Sequence, residues 1–266
     1  MQYSFTDFIS DYGLITIIAL AISSFVAGFI DAVVGGGGLI QIPFLLIAFP
    51  NMQLPVMFGT NKIAALSGTA TAAYSYAKKI TFHFKLLFAV SLSAFVASYS
   101  GAQLVSSINS DLLKPIIFVI LILIAVYTFL NKKLGSVESK QLPHKKQIIY
   151  GSISGILIGF YDGFFGPGTG SFFVLAFVVL LGFEFVKASA YAKIINSITN
   201  LSALIVFISK GTYILPMAIL MAVFNVMGSF IGSTVALKNG NGFVRIFFLI
   251  VVTLMILKYA NDIFFI

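Results

Sequence analysis

The strongest constraint on this chain is its succession of apolar runs longer than 18 residues. A run of that length matches the roughly 30 Å of hydrocarbon in a bilayer. Charge points the same way. Asp, Glu, Lys and Arg make up 9% of the residues, against about 25% in a soluble domain, which must face water on all sides. A mean hydropathy of +1.07 agrees. The chain reads as an all-α polytopic membrane protein of about eight transmembrane segments, at roughly 13–49, 56–78, 84–107, 112–131, 147–181, 187–209, 212–237 and 243–264. Asp7 and Asp11 stand where a signal peptide would be basic, so the first run is expected to stay as a span.

The longest polar stretch, Asn131–Gln147, carries Lys132, Lys133, Lys140, Lys145 and Lys146. It divides the chain into an N-terminal transmembrane repeat, 1–131, a basic linker, 132–146, expected in the cytoplasm, and a C-terminal transmembrane repeat, 147–266. The halves match at a constant shift. Gly28-Phe29-Ile30-Asp31 recurs as Gly159-Phe160-Tyr161-Asp162. The same shift carries Gly35 to Gly166, Gly37 to Gly168, Lys62-Ile63 to Lys193-Ile194, Gly101 to Gly232 and Lys114 to Arg245. One ungapped register that aligns glycines, acids and bases across several segments implies two homologous four-segment repeats.

The first segment of each repeat is too long. About 35 residues as one helix would measure about 52 Å, well beyond the bilayer. Each is interrupted, by Gly35-Gly36-Gly37-Gly38 and by Gly166-Pro167-Gly168-Thr169-Gly170. Gly and Pro disfavour a helix interior by about 1 and 3 kcal/mol relative to Ala. Each first segment is therefore a broken helix, either a kinked span or a re-entrant hairpin. The first gives repeats of like orientation, the second opposed ones. Lys and Arg fall mainly on one face in both, so the positive-inside rule does not choose.

Non-helical backbone survives inside a membrane only when buried in protein or lining a watery cavity. Paired interruptions in two repeats point to a substrate site between them. Each restarting helix aims its positive end into the gap, where an anion is favoured. The plainer alternative is that these glycines only let helices pack closely. Asp31 and Asp162 precede the breaks within apolar sequence, where a carboxylate is costly and functional or paired by default. They could relay protons or cap the broken backbone. Lys62, after Thr60 and Asn61, and Lys193, near Asn196 and Asn200, either line the site or snorkel to the interface. An Asp–Lys pair within each repeat is a further expectation.

Other chemistries are excluded or disfavoured. No cysteine is present, which removes disulfides, thiolate metal sites and cysteine nucleophiles. His83 and His144 sit in lysine-bearing loops and read as solvated residues rather than ligands. No Gly-rich stretch leads into Lys-Ser or Lys-Thr, and no His-Glu-x-x-His occurs, so neither an ATPase loop nor that metal helix is present. The formal charge of +8 reflects loop lysines rather than nucleic-acid binding. The chain reads as a non-enzyme with no cofactor.

At Gly28-Phe-Ile-Asp-Ala-Val-Val-Gly-Gly-Gly-Gly-Leu-Ile, at Gly59-Thr-Asn-Lys and at Gly159-Phe-Tyr-Asp-Gly-Phe-Phe-Gly-Pro-Gly-Thr-Gly-Ser, the chain closely resembles the sulfite exporter TauE/SafE family. The resemblance extends over essentially the whole chain. It implies a bacterial inner (plasma) membrane permease for sulfite, sulfonates or related organosulfur anions. By motif position it implies a substrate site at Asp31, Gly35, Gly36, Gly37, Gly38, Thr60, Asn61, Lys62, Asp162, Gly166, Gly168, Thr169 and Lys193. Asn196 joins these from its place beside Lys193. Ala190-Tyr191-Ala192 precede Lys193 where Gly59-Thr60-Asn61 precede Lys62, so the two half-sites need not be equivalent.

The leading functional reading is a secondary transporter moving a small anion by alternating access, with an ion gradient or membrane potential as driving force. A proton on Asp31 or Asp162 would be the coupling ion. An anion channel is the nearest variant, and a non-transporting accessory membrane protein is the alternative from another class. The expected partners are the small anion, the coupling ion and the lipid bilayer. A homo-oligomeric state is left open.

Overall fold

The computed structural model describes residues 5–105, 135 and 142–264. The expected segment 112–131 and most of the basic linker lie outside the described residues. Those described form helices α1 (Phe5–Val34), α2 (Gly38–Ala48), α3 (Leu54–Ala77), α4 (Phe84–Leu104), α5 (His144–Phe164), α6 (Thr169–Ala176), α7 (Phe185–Ser209) and α8 (Leu215–Phe264). A π-helical turn, Phe177–Leu181, extends α6. Gly240, at φ 70° and ψ −164°, divides α8 into two arms, which correspond to the last two expected segments. Among the described residues there is no strand.

Large apolar side chains cover the outside, while charged and amide side chains are buried within an otherwise apolar core. Leu92 and Val96 on α4, Ile153 and Leu157 on α5, and Val223 and Met227 on α8 are exposed at helical spacing. Asp31, Gln41, Lys62, Asp162, Lys193, Asn200 and Asn225 are buried. That arrangement suits a hydrocarbon solvent and identifies a multi-pass membrane protein. Tyr12–Val34, Phe84–Leu104, Phe185–Ser209 and Leu215–Leu254 are long and apolar enough to cross a membrane. Helices α3 and α5 are of similar length but more polar, since α3 carries Asn61 and Lys62 and α5 opens on His144-Lys145-Lys146.

Contacts across each break decide its geometry. Gln41 of α2 hydrogen-bonds Ser24 of α1 at 2.8 Å, and the rings of Tyr12 and Phe49 stack edge-on with centroids 4.9 Å apart. Residues 12 and 49 would lie more than 50 Å apart on one continuous helix. The chain therefore doubles back at residues 35–37, and α1 with α2 is a hairpin. Helix α6 likewise returns along α5: Tyr161 stacks on Phe172 at 5.4 Å, and Gly151 lies near Leu181.

The hairpins are held by helices from the opposite half of the chain. Helix α1 runs parallel to the first arm of α8, with Gly28 against Asn225 and Gly232 against Phe29. Helix α5 runs parallel to α4. Gly151, Gly155, Gly159 and Gly163, one every fourth residue, seat against Val90, Val90, Ala94 and Ser98 in turn. Small residues at that spacing let backbones approach and gain dispersion where the hydrophobic effect is absent. Helices α3 and α7 cross antiparallel, with Gly59 against Phe207 near one end and Asn200 donating to Thr69 further along.

Candidate functional site

The two hairpin tips meet. Val34 closes α1, and Gly35 follows at φ +88° with its N–H bonded to Asp31 O at 2.7 Å. The carbonyl of Gly35 then accepts from Ser171 N–H at 3.0 Å, and Val34 O accepts the Ser171 hydroxyl at 2.9 Å. Gly35 packs directly on the backbone of Gly170, leaving no space for a Cβ. The first break thus seats on the opening turn of α6. Gly166 holds the corresponding place in the second break at φ +91°. Gly168 is also left-handed, at +84°, whereas Gly37 is helical at φ −56°. Thr169 fixes the second turn by donating to Gly166 O at 2.7 Å.

The acids and lysines pair across the halves. Lys62 Nζ lies 2.8 Å from Asp162 Oδ2, and Lys193 Nζ lies 3.4 Å from Asp31 Oδ2. Pairing within each half, the sequence expectation, does not occur. Because α3 and α7 are antiparallel and the tips face each other, each lysine meets the carboxylate of the opposite break. Neither lysine snorkels: Lys62 is 5% exposed and Lys193 is fully buried.

The pairs differ in how completely they are held. Lys193 donates to both the carboxylate and the main-chain carbonyl of Asp31, and the Asp31 carboxylate also accepts from Gly37 N–H at 3.4 Å. Asp31 caps the broken backbone. Asp162 Oδ2 receives no directed hydrogen bond; the ammonium of Lys62 instead bonds Asn200 Oδ1 at 2.9 Å. The second pair is the closer of the two, a 2.8 Å charge contact whose two members both line the cavity between the tips.

A cavity of about 40 Å³ lies between the tips, room for about three waters. Of the sequence-predicted residues, Asp31, Gly35, Gly37, Gly38, Asn61, Lys62, Asp162, Gly166, Gly168, Thr169 and Asn196 line it. Gly36, Thr60 and Lys193 do not. Gly36 packs near Val251 of α8. Thr60 accepts from Ile214 N–H at 2.9 Å and so ties α3 to the start of α8. Sequence reasoning did not place Gln41, Thr69, Asn200 or Asn225 in the site, although all four line it. Their signal was one polar side chain in an apolar stretch, the cue that singled out Asp31. The opening turns of α2 and α6 also reach the cavity, through Gly37 and Gly38 and through Gly168 to Gly170, and present positive helix ends. His83 and His144 are exposed with rings 4.2 Å apart, far along α4 and α5 from the breaks. Among the described residues, no cluster of His, Cys, Asp and Glu could hold a metal ion.

A polytopic helical membrane protein with a buried, charge-lined polar cavity between two broken helices is the class that the fold and site define. The sulfite exporter TauE/SafE family model matches residues 20–259, and the chain belongs to that family. Among its relatives, "Probable membrane transporter protein ORF9" of Sinorhizobium sp is 36% identical over 244 residues, covering 91% of this chain and 92% of that protein. A "Probable membrane transporter protein" of Haemophilus influenzae is 33% identical, covering 95% and 97%. "Probable membrane transporter protein YfcA" of Escherichia coli K12 is 37% identical, covering 89% and 86%. No solved structure is significantly similar to the chain.

Proposed function

We propose that this protein is a secondary transporter of the bacterial inner membrane that moves a small oxyanion, sulfite or a small sulfonate, by alternating access. The observation that carries the reading is the cavity itself, a buried polar space where two hairpin tips meet, with Lys62, five side-chain amides and two helix N-termini around it. The cavity is too small for a large solute. Its donors suit an anion: Lys62 supplies charge, and Asn61, Asn196 and Asn225 can supply N–H groups.

The halves 1–131 and 147–266 are read as inverted copies of one unit. Contacts support this in equivalent pairs: Gly28–Asn225 answers Gly159–Ala94, Gly101–Phe160 answers Gly232–Phe29, and Lys62–Asp162 answers Lys193–Asp31. Thr69 and Asn200 are equivalent positions in hydrogen-bond contact at 3.5 Å, as on a two-fold axis. Inverted repeats allow one packing to serve each side of the membrane in turn.

Charge balance suggests the coupling. The two ion pairs sum to zero, so a monoanion entering beside Lys62 would leave an uncompensated buried charge, which costs several kcal/mol. A proton on Asp162, freed as the anion takes Lys62, restores neutrality. Flux into proteoliposomes of labelled sulfite tests the reading. Saturable uptake, stimulated by a pH gradient and lost in Lys62→Gln, is expected; no saturable uptake of sulfite or any small sulfonate by folded protein contradicts it.

A further inference from the structure

We infer that the cavity selects anions that carry a hydrogen-bond donor of their own, and that Gln41 is the residue that reads it. The inference rests on the transporter reading for its site, but on a separate observation. Gln41 lies in the second turn of α2, is 1% exposed and lines the cavity. Its Nε2 donates to Ser24 Oγ at 2.8 Å. The Ser24 hydroxyl proton is already committed to Leu20 O at 2.7 Å, so toward Gln41 the serine can only accept. That fixes the amide orientation. Gln41 Oε1 is then a buried acceptor with no donor from the protein, an arrangement folded proteins seldom leave without a use.

The other groups around the cavity complement it. Lys62 attracts negative oxygen, while Asn200 Oδ1 is occupied by that lysine. Thr69 gives its proton to Ala65 O at 2.7 Å. An anion with acceptors alone satisfies Lys62 and the amide donors but offers no donor to Gln41 Oε1. A singly protonated oxyanion, or a small sulfonate bearing O–H or N–H, satisfies both sides at once. A site that hydrogen-bonds a ligand hydroxyl discriminates against analogues lacking it, because its own polar group is then left unpaired.

Two isosteric, equally charged pairs isolate this effect: hydroxymethanesulfonate against ethanesulfonate, and hydrogen carbonate against nitrate. Calorimetric titration of the purified protein in detergent is expected to favour the hydroxyl-bearing member of at least one pair by about tenfold. In Gln41→Met the ratio falls to about one while affinity for the other member holds. A wild-type ratio near one in both pairs, or a ratio unchanged in Gln41→Met, overturns the inference. If Gln41→Met does not fold, the wild-type ratios decide alone. The two readings fail differently. A clear ratio in binding without flux in proteoliposomes overturns transport but leaves Gln41 its role; saturable flux without the ratio does the reverse.

Discussion

The two breaks share a glycine at φ near +90° and an Asp–Lys pair, yet they are built for different work. At the first, Lys193 and Gly37 N–H saturate Asp31, the glycine is wedged on Gly170, and the lysine stands outside the cavity. At the second, Asp162 has only the charge of Lys62 beside it, and both face the cavity. A Cβ added at Gly166 would lie 3.2 Å from Asp162 O and 3.4 Å from Lys62 Nζ. The same frame thus gives a lysine tied to both main chain and carboxylate in one copy and a close ion pair that faces the cavity in the other.

The largest effects expected are on the charges. Removing one partner of a buried pair strands the other, so Lys62→Gln and Lys193→Gln should each cost about 3–5 kcal/mol, read as a large fall in thermal midpoint in detergent. The neutral doubles Lys62→Gln/Asp162→Asn and Lys193→Gln/Asp31→Asn should recover most of that loss. The first-break double should recover less, because Lys193 also holds the Asp31 carbonyl. Equal recovery would remove the distinction between the two pairs.

Glycine substitutions come next. Gly35→Ala combines a left-handed φ with a direct collision on Gly170, for roughly 2–5 kcal/mol. Gly166→Ala meets the strain, roughly 1–2 kcal/mol, with a tight contact on Asp162 O but no direct collision; it places a methyl beside Lys62 and should weaken anion binding out of proportion to its loss of stability. Midpoints and titrations on the same preparations separate these. The smallest effect is at Thr60. Thr60→Val loses the bond from Ile214 N–H, about 1 kcal/mol, with anion affinity unchanged; a large affinity loss would return Thr60 to the site.

Much of this was legible in the sequence because its loudest signals are physical violations. Charges within apolar sequence and glycine runs inside over-long segments are costly, and they pointed to Asp31, Lys62, Asp162 and the breaks. Which lysine meets which acid was not legible. That depends on α3 and α7 crossing antiparallel, a property of packing between halves and not of either half. The choice between kink and hairpin was hidden for the same reason, since it turns on contacts such as Gln41 with Ser24. Gln41 and Asn225 were passed over because a single amide in an apolar helix, with no counterpart in the other half, forms no pattern. The glycine ladder on α5 was visible at every fourth residue, but its meaning lay in α4.

The central claim is that the second-break pair, and not the first, holds the anion. Sulfite flux into proteoliposomes, measured side by side for the two neutral doubles, tests it most directly. The account predicts saturable uptake retained with Lys193→Gln/Asp31→Asn and abolished with Lys62→Gln/Asp162→Asn, both folded. Uptake surviving in the second double, or lost only in the first, would contradict it.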